Sequence, residues 1–273
     1  MSPATATPEG SAAGAPPSGS SLLSLKGFTK SFGAVQALKD VDFSVEAGEV
    51  VGLVGDNGAG KSTLIKAISG AQPADSGTAE FEGRGVTFTS PTAATRLGIA
   101  TVYQDLALAE NLDVVENLYL GQELVTSFPP PRLDEIAMEQ KANELLDSLG
   151  VTTLRSVRTE VGMLSGGQRQ AVAIARSLLG DPKVVLLDEP TAALGVVQTE
   201  QILKLITRLK DRGLGVVVIS HNLSNLFQVV DRISVLRLGR VARNFGVGET
   251  DHQAVVAAIT GADIERKTEE TPL

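Results

Sequence analysis

Residues Val50 to Ser62 read Val-Val-Gly-Leu-Val-Gly-Asp-Asn-Gly-Ala-Gly-Lys-Ser, a short apolar run followed by a glycine-rich loop. The run Val50–Val54 predicts a buried strand, and Lys61–Ser69 predicts a helix. Residues 55–62 match G-x-x-x-x-G-K-[ST] between these two elements, which is the context of a phosphate-binding loop. Glycines allow several backbone N–H groups to converge on one phosphate, and the helix N-terminus adds its positive dipole end.

This loop predicts a site for a nucleoside triphosphate and Mg²⁺. Lys61 supplies a positive charge for the β- and γ-phosphates, and Ser62 offers its hydroxyl to the metal. Kinases and GTPases share the motif, and a glycine-rich turn before an ordinary helix is the alternative interpretation. The predicted binding residues are Gly55, Asp56, Asn57, Gly58, Ala59, Gly60, Lys61, Ser62 and Thr63.

A second apolar run, Val184–Leu187, ends in Asp188 and Glu189. In a parallel sheet such a strand is buried, and its carboxyl end lies at the ligand crevice. We expect Asp188 to help hold Mg²⁺ and Glu189 to orient or deprotonate the attacking water. Because neighbouring residues of a strand point to opposite sides, the two acids suit different roles. A solvated strand end is the alternative.

Composition excludes several classes of function. The chain has 273 residues, no Cys, 4% aromatic residues and a formal charge of −8. Disulfides and Cys-based metal sites are impossible, and the acidic balance argues against a nucleic-acid partner. We find no apolar stretch of the roughly 18 residues that a membrane span needs and no signal-peptide pattern, so we expect a cytoplasmic location.

The remaining pattern predicts an α/β fold with a mostly parallel sheet, interrupted by a helical lobe between Glu110 and about Leu179. Leu133–Leu149 has apolar residues at helical spacing within that lobe. Residues 1–20 are almost all small or polar, so we expect them to be disordered, and we expect 262–273 to be flexible. The other predicted strands are Leu22–Gly27, Val41–Ala47 and Val216–Ile219.

The pentapeptide Leu164-Ser165-Gly166-Gly167-Gln168 opens a predicted helix that runs from Gln168 to Leu179. Its Ser and Gly residues make a second helix N-terminus suited to an anion. One ATP does not need two such sites on one chain, whereas two chains that face head to tail would need both. A capped helix with a glycine-rich entry is the alternative.

The order of phosphate loop, pentapeptide and acidic pair resembles the ATP-binding-cassette ATPase family, over about Leu22 to Gly261. The resemblance implies a RecA-like P-loop core, an antiparallel β subdomain and a helical subdomain inserted at about residues 105–179, within a domain of residues 21–261. It also implies that ATP and Mg²⁺ bind between the loop of one subunit and residues 164–168 of a second, giving a homodimer.

Three further residues match the family pattern one by one. Phe32 matches the aromatic residue that contacts adenine, Gln104 the glutamine that reaches Mg²⁺ and senses the membrane partner, and His221 the histidine that contacts the γ-phosphate. A core Phe, an uninvolved Gln and a structural His are the alternatives. The implied catalytic residues are Glu189, His221, Lys61 and Gln104, and the implied metal ligands are Ser62, Gln104 and Asp188.

The segments Val102-Tyr103-Gln104-Asp105, Val115-Glu116-Asn117 and Ala192-Ala193-Leu194-Gly195 resemble those of bacterial simple-sugar importers. That resemblance implies a membrane permease, contacted by residues 105–120, and a solute-binding protein as partners. The chain departs from the wider family at Gly195, where the usual residue is an Asp that couples the two ATP sites. Rival interpretations are a cassette for another solute, a non-transport cassette, a regulatory nucleotide-binding module and a small-molecule kinase.

Overall fold

A computed structural model describes residues 21–127 and 129–262. The predicted loose segment 1–20 lies outside the described residues, and so does the predicted segment 262–273 apart from Ala262. The first described strand belongs to an antiparallel sheet of four strands in the order β2-β1-β4-β5. These strands are β1 (Ser21–Phe32), β2 (Val35–Glu46), β4 (Ser76–Phe81) and β5 (Arg84–Val86).

The second sheet has six strands in the order β10-β9-β3-β8-β7-β6. Its strands pair in parallel except for the antiparallel hairpin β9–β10. The carboxyl ends of β3, β6, β7 and β8 therefore meet at one edge. The strands are β3 (Val50–Val54), β6 (Ile99–Val102), β7 (Val184–Asp188), β8 (Gly215–Ile219), β9 (Arg232–Arg237) and β10 (Arg240–Gly246).

Helices cover the parallel sheet, and β3 and β8 are buried along their whole length. Strands buried on both sides consist of continuous apolar runs, which is why Val50–Val54 and Val216–Ile219 could be recognised. The helices are α1 (Lys61–Ile68), α2 (Pro91–Arg96), α3 (Val114–Tyr119), α4 (Glu135–Ser148), α5 (Gly166–Leu178), α6 (Val196–Asp211), α7 (Leu223–Leu226) and α8 (His252–Thr260). The predicted mixed α/β fold is confirmed.

The segment between β6 and β7 differs from the sequence expectation at the start of its long helix. Leu133 pairs with Val125 in an antiparallel bridge instead of joining the helix. The Asp134 side chain accepts a hydrogen bond from the Ala137 N–H at 3.1 Å, so the helix begins after this N-cap. Leu133 and Ile136 are 55% and 73% exposed, so their apolar character does not mark the buried face of α4.

The described part of the chain, from Ser21 to Ala262 without Phe128, contains no helix long and apolar enough to cross a membrane.

Candidate functional site

The loop between β3 and α1 curls around its own lysine. The Lys61 Nζ donates hydrogen bonds to the carbonyl oxygens of Gly55 at 2.8 Å and Asp56 at 2.9 Å. Gly55 and Gly60 have φ of 154° and 110°. A Cβ at Gly55 would lie 2.1 Å from the Leu236 carbonyl oxygen, so only glycine fits there. The local sequence thus forms a concave backbone at the start of α1.

Five segments that are distant in the sequence line one cleft of about 280 Å³ beside this loop. The loop and the start of α1 form one side, Gln104 follows β6, and the acidic pair lies at the end of β7. Ala37 and Ile219 also line the cleft, although neither belongs to a motif. The lining residues are Ala37, Asn57, Gly58, Ala59, Gly60, Lys61, Ser62, Thr63, Gln104, Asp188, Glu189 and Ile219.

The acidic pair departs from strand geometry, and the expectation that its side chains point to opposite sides is wrong. Strand β7 ends at Asp188, and Glu189 has a left-handed backbone with φ of 51°. Both carboxylates therefore line the same cleft. Backbone strain of this kind persists where surrounding structure fixes it, and it concentrates at functional sites. Here the Glu189 N–H donates to the Ile219 carbonyl oxygen at 3.0 Å.

His221 lies next to Glu189, at the rim of a neighbouring cleft of about 410 Å³. Its Nδ1 is 2.9 Å from the Glu189 Oε2, which is ion-pair distance. Oε2 is buried, and among the residues that the structure describes no group donates a hydrogen bond to it. The His221 side chain is 78% exposed. The exposed imidazole can therefore contact a ligand or water at the rim of the cleft.

Burial in the cleft disfavours the charged forms of Asp188 and Lys61. Burial raises the pKa of Asp188, and the nearby Glu189 carboxylate raises it further. Burial also lowers the pKa of Lys61, although Glu189, Asp56 and Asp188 act in the opposite direction. Carboxylate and hydroxyl oxygens are the ligands that Mg²⁺ prefers, and the loop backbone suits phosphates. The residues present therefore fit a magnesium nucleotide.

The pentapeptide at residues 164–168 lies elsewhere. Ser165 caps α5, because its side chain accepts from the Gln168 N–H while the Gln168 Oε1 accepts from the Ser165 N–H. A Cβ at Gly167 would lie 2.9 Å from the Gln198 Cβ, so α5 begins close against α6. Among the described residues that line the phosphate-loop cleft, none comes from this pentapeptide.

Phe32 and Gly195 complete the set of predicted positions. Phe32 ends β1, is 46% exposed and has the Lys30 Nζ 5.8 Å from its ring centroid. It does not line the cleft, but its exposed ring can receive a planar ligand. Gly195 is the N-cap of α6 with φ of −71°, a conformation open to any residue.

The fold and the cleft define an α/β P-loop nucleotide-binding protein. Comparison with known proteins narrows this class to one family, because residues 38–192 match the family model described as ABC transporter. The chain is 44% identical to the fructose import ATP-binding protein FrcA of Rhizobium meliloti, covering 88% of this chain and 94% of that protein. It is 45% identical to the xylose/arabinose import ATP-binding protein XylG of Sulfolobus acidocaldarius, with the same coverage. The chain belongs to the ABC transporter family, as one of its ATP-hydrolysing cassettes.

Another relative is a longer protein. The chain is 38% identical to a ribose import ATP-binding protein, RbsA of Bacillus licheniformis, and spans 50% of its length. A solved nucleotide-free ATP-binding cassette from an ABC transporter has a TM-score of 0.75 at 29% identity, covering 87% of this chain and 95% of that one. A dimeric cassette bound to ADP and Pi has a TM-score of 0.69 at 28% identity, covering 82% and 98%.

Proposed function

We propose that this chain is the ATPase subunit of an importer for monosaccharides. It drives a membrane permease, to which a solute-binding protein delivers the sugar. The main support for an ATPase site is that the phosphate loop, Gln104 and the acidic pair line the same cleft. The sugar assignment is supported by the fructose and xylose/arabinose import relatives, which match nearly end to end. In this arrangement the chain lies on the inner face of the membrane through the permease.

Each cleft residue has a role that follows from its chemistry. Lys61 balances charge on the β- and γ-phosphates after leaving the carbonyls of Gly55 and Asp56. Glu189 accepts a proton from water or orients it, and His221 donates to the γ-phosphate from the cleft rim. When Mg²⁺ is bound, by Ser62, Gln104 and Asp188, it neutralises charge on the phosphate oxygens. Phe32 stacks on adenine.

A second copy of the chain completes the site. The capped start of α5 is a helix N-terminus with an anion-binding orientation, yet residues 164–168 do not reach the cleft of their own chain. Two copies facing head to tail bring each pentapeptide to the other chain's phosphate loop. The dimeric cassette with ADP and Pi is a precedent for such pairing.

ATPase measurements on purified protein test the site. Glu189→Gln should retain nucleotide binding and lose hydrolysis by about a hundredfold or more, because a general base contributes about 10²–10⁴ to the rate. Glu80→Gln, at an exposed position of β4, is the matched control and should turn over normally. Near-normal hydrolysis by Glu189→Gln would remove this residue from its role.

Uptake measurements test the cargo. Cells that lack the gene are given labelled fructose, xylose, ribose and an amino acid, with the wild-type or the Glu189→Gln gene restored. We expect one or more of the sugars to require the wild-type gene, while the amino acid is unaffected. Normal sugar uptake with a defect for the amino acid would contradict the sugar assignment and leave the ATPase assignment intact.

A further inference from the structure

The turn between β9 and β10 touches the back of the phosphate loop. Arg237 pairs directly with Arg240, so the hairpin loop consists of Leu238 and Gly239 alone. Both residues have positive φ, 48° and 83°, which is the geometry of a type I′ turn. The Gly239 N–H donates to the Ala59 carbonyl oxygen at 3.0 Å.

The same turn is tied to β2 on its other side. The Gly239 carbonyl oxygen accepts from the Lys39 N–H at 2.7 Å. A Cβ at Gly239 would lie 2.8 Å from the Ala37 carbonyl oxygen, and a Cβ at Gly60 would lie 2.6 Å from that same oxygen. Strand β2, the turn and the phosphate loop are therefore in close backbone contact, with no room for side chains.

The hydrogen bond to Ala59 controls the direction of the next amide. A trans peptide group is planar, so its C=O and N–H point in opposite directions. Because Gly239 holds the Ala59 carbonyl outward, the Gly60 N–H of the same peptide points toward the inside of the loop. The Gly60 carbonyl is fixed in turn, since it accepts from the Leu64 N–H at 2.9 Å.

We propose that the Leu238–Gly239 turn is a positioning element that aims the Gly60 N–H at the phosphates of a bound nucleotide. Gly239 acts through Ala59 and does not touch the ligand. The inference rests on the proposed role of residues 55–62 as the phosphate site. It assigns a function in nucleotide binding to a turn that carries no nucleotide-binding motif.

Substitution of Gly239 by Ala tests the inference. The added methyl group meets the Ala37 carbonyl oxygen and displaces the turn from Ala59. We expect the Kd for ADP and the KM for MgATP to rise about tenfold, the value of one hydrogen bond to a charged group. The kcat should change by less than about twofold, because the contact is made equally in the ground state and the transition state.

Val241→Ala is the matched control on the same hairpin. Val241 is partly buried and packs on the core of the antiparallel sheet, so its truncation should lower the melting temperature without changing ADP affinity. Wild-type affinity in Gly239→Ala, or an equal loss of affinity in Val241→Ala, would overturn the inference. If wild-type and Lys61→Ala proteins bind ADP equally, the phosphate site itself is misassigned.

Amide exchange in the unmodified protein provides a second test if Gly239→Ala does not fold. ADP should slow exchange of the Gly239 amide, because ligand and turn hold the same peptide group. The contrary result is a shift of the Gly60 amide signal on ADP binding with no change in the exchange rate of the Gly239 amide. It would show that the turn and the phosphate site are not linked.

Discussion

Leu238 adopts a left-handed backbone with φ of 48° while its side chain is 69% exposed. A residue other than Gly, Asn or Asp in this region costs roughly 1–2 kcal/mol. Leu238→Asn should raise the free energy of unfolding by about 1 kcal/mol, since Asn-Gly is favoured in type I′ turns.

Urea denaturation measures this change, with Leu238→Ala as control. Alanine retains the Cβ that causes the strain and removes only the exposed part of the side chain, so its stability should match the wild type. Equal stabilisation by Ala and Asn would mean that the exposed leucine side chain, and not the backbone, is unfavourable.

Asp188 gives a pH-dependent prediction. Its pKa is raised in the folded chain by burial and by Glu189, so the folded state holds the proton more tightly than the unfolded state. The wild type therefore loses stability as pH rises from the unfolded pKa through the folded pKa. Nucleotide-free Asp188→Asn should lack this loss and be the more stable protein at neutral pH.

Thermal unfolding between acidic and neutral pH tests the prediction for Asp188. The gap between Asp188→Asn and wild type should widen as pH rises, and Asp181→Asn, between α5 and β7, is the control substitution. A gap that narrows with rising pH would show that pairing with Lys61 outweighs the burial of Asp188.

At the scale of elements, helix α6 begins without a side-chain cap. Its N-cap Gly195 has extended backbone angles, and the nearest atom to an added Cβ is the Gln198 Oε1 at 3.9 Å. Gly195→Asp should stabilise the chain by a few tenths of a kcal/mol through an N-cap hydrogen bond, whereas Gly195→Ala should destabilise it by about 0.5–1 kcal/mol.

Chemical denaturation of both Gly195 variants separates capping from other effects, because Asp and Ala add the same Cβ. If Asp destabilises as much as Ala, the start of α6 does not admit a side chain. The present structure leaves room for a side chain at Gly195. The Asp that the wider family has at this position is therefore sterically possible in this fold.

At the scale of the whole molecule, residues 164–168 do not line the phosphate-loop cleft of their own chain, and the proposal that a second chain completes the site follows from this separation. Glu189→Gln should form an ATP-dependent dimer, because ATP then remains bound between the two chains. Light scattering should give about twice the 28.4 kDa chain mass with MgATP and the single-chain mass without it. Ser165→Arg in the same background removes the cap and crowds the interface, and it should remain monomeric.

A Glu189→Gln chain that stays monomeric with ATP bound would contradict the homodimer. The completing cassette would then be a different chain, or pairing would require the permease. Either result leaves the phosphate-loop cleft unchanged, since all of its described lining comes from one chain.

The sequence by itself determined those elements that depend only on residues close together in the chain. The phosphate loop, the buried strands Val50–Val54 and Val184–Asp188, and the capped start of α5 depend on neighbouring residues, so their patterns could be read directly. The antiparallel bridge between Val125 and Leu133 was missed because apolar spacing does not reveal exposure. Residues 105–120 as the permease contact stay a prediction.

Only the tertiary structure decided which backbone groups support the loop. Leu236 and Gly239 contact it from a hairpin far along the chain, and Ala37 contacts it from another sheet. The left-handed backbone at Glu189, which brings both acids into one cleft, is fixed by a bond to Ile219 on the adjacent strand. These contacts arise when the two sheets assemble. They use backbone atoms that every residue has, so no pattern of side chains in the sequence indicates them.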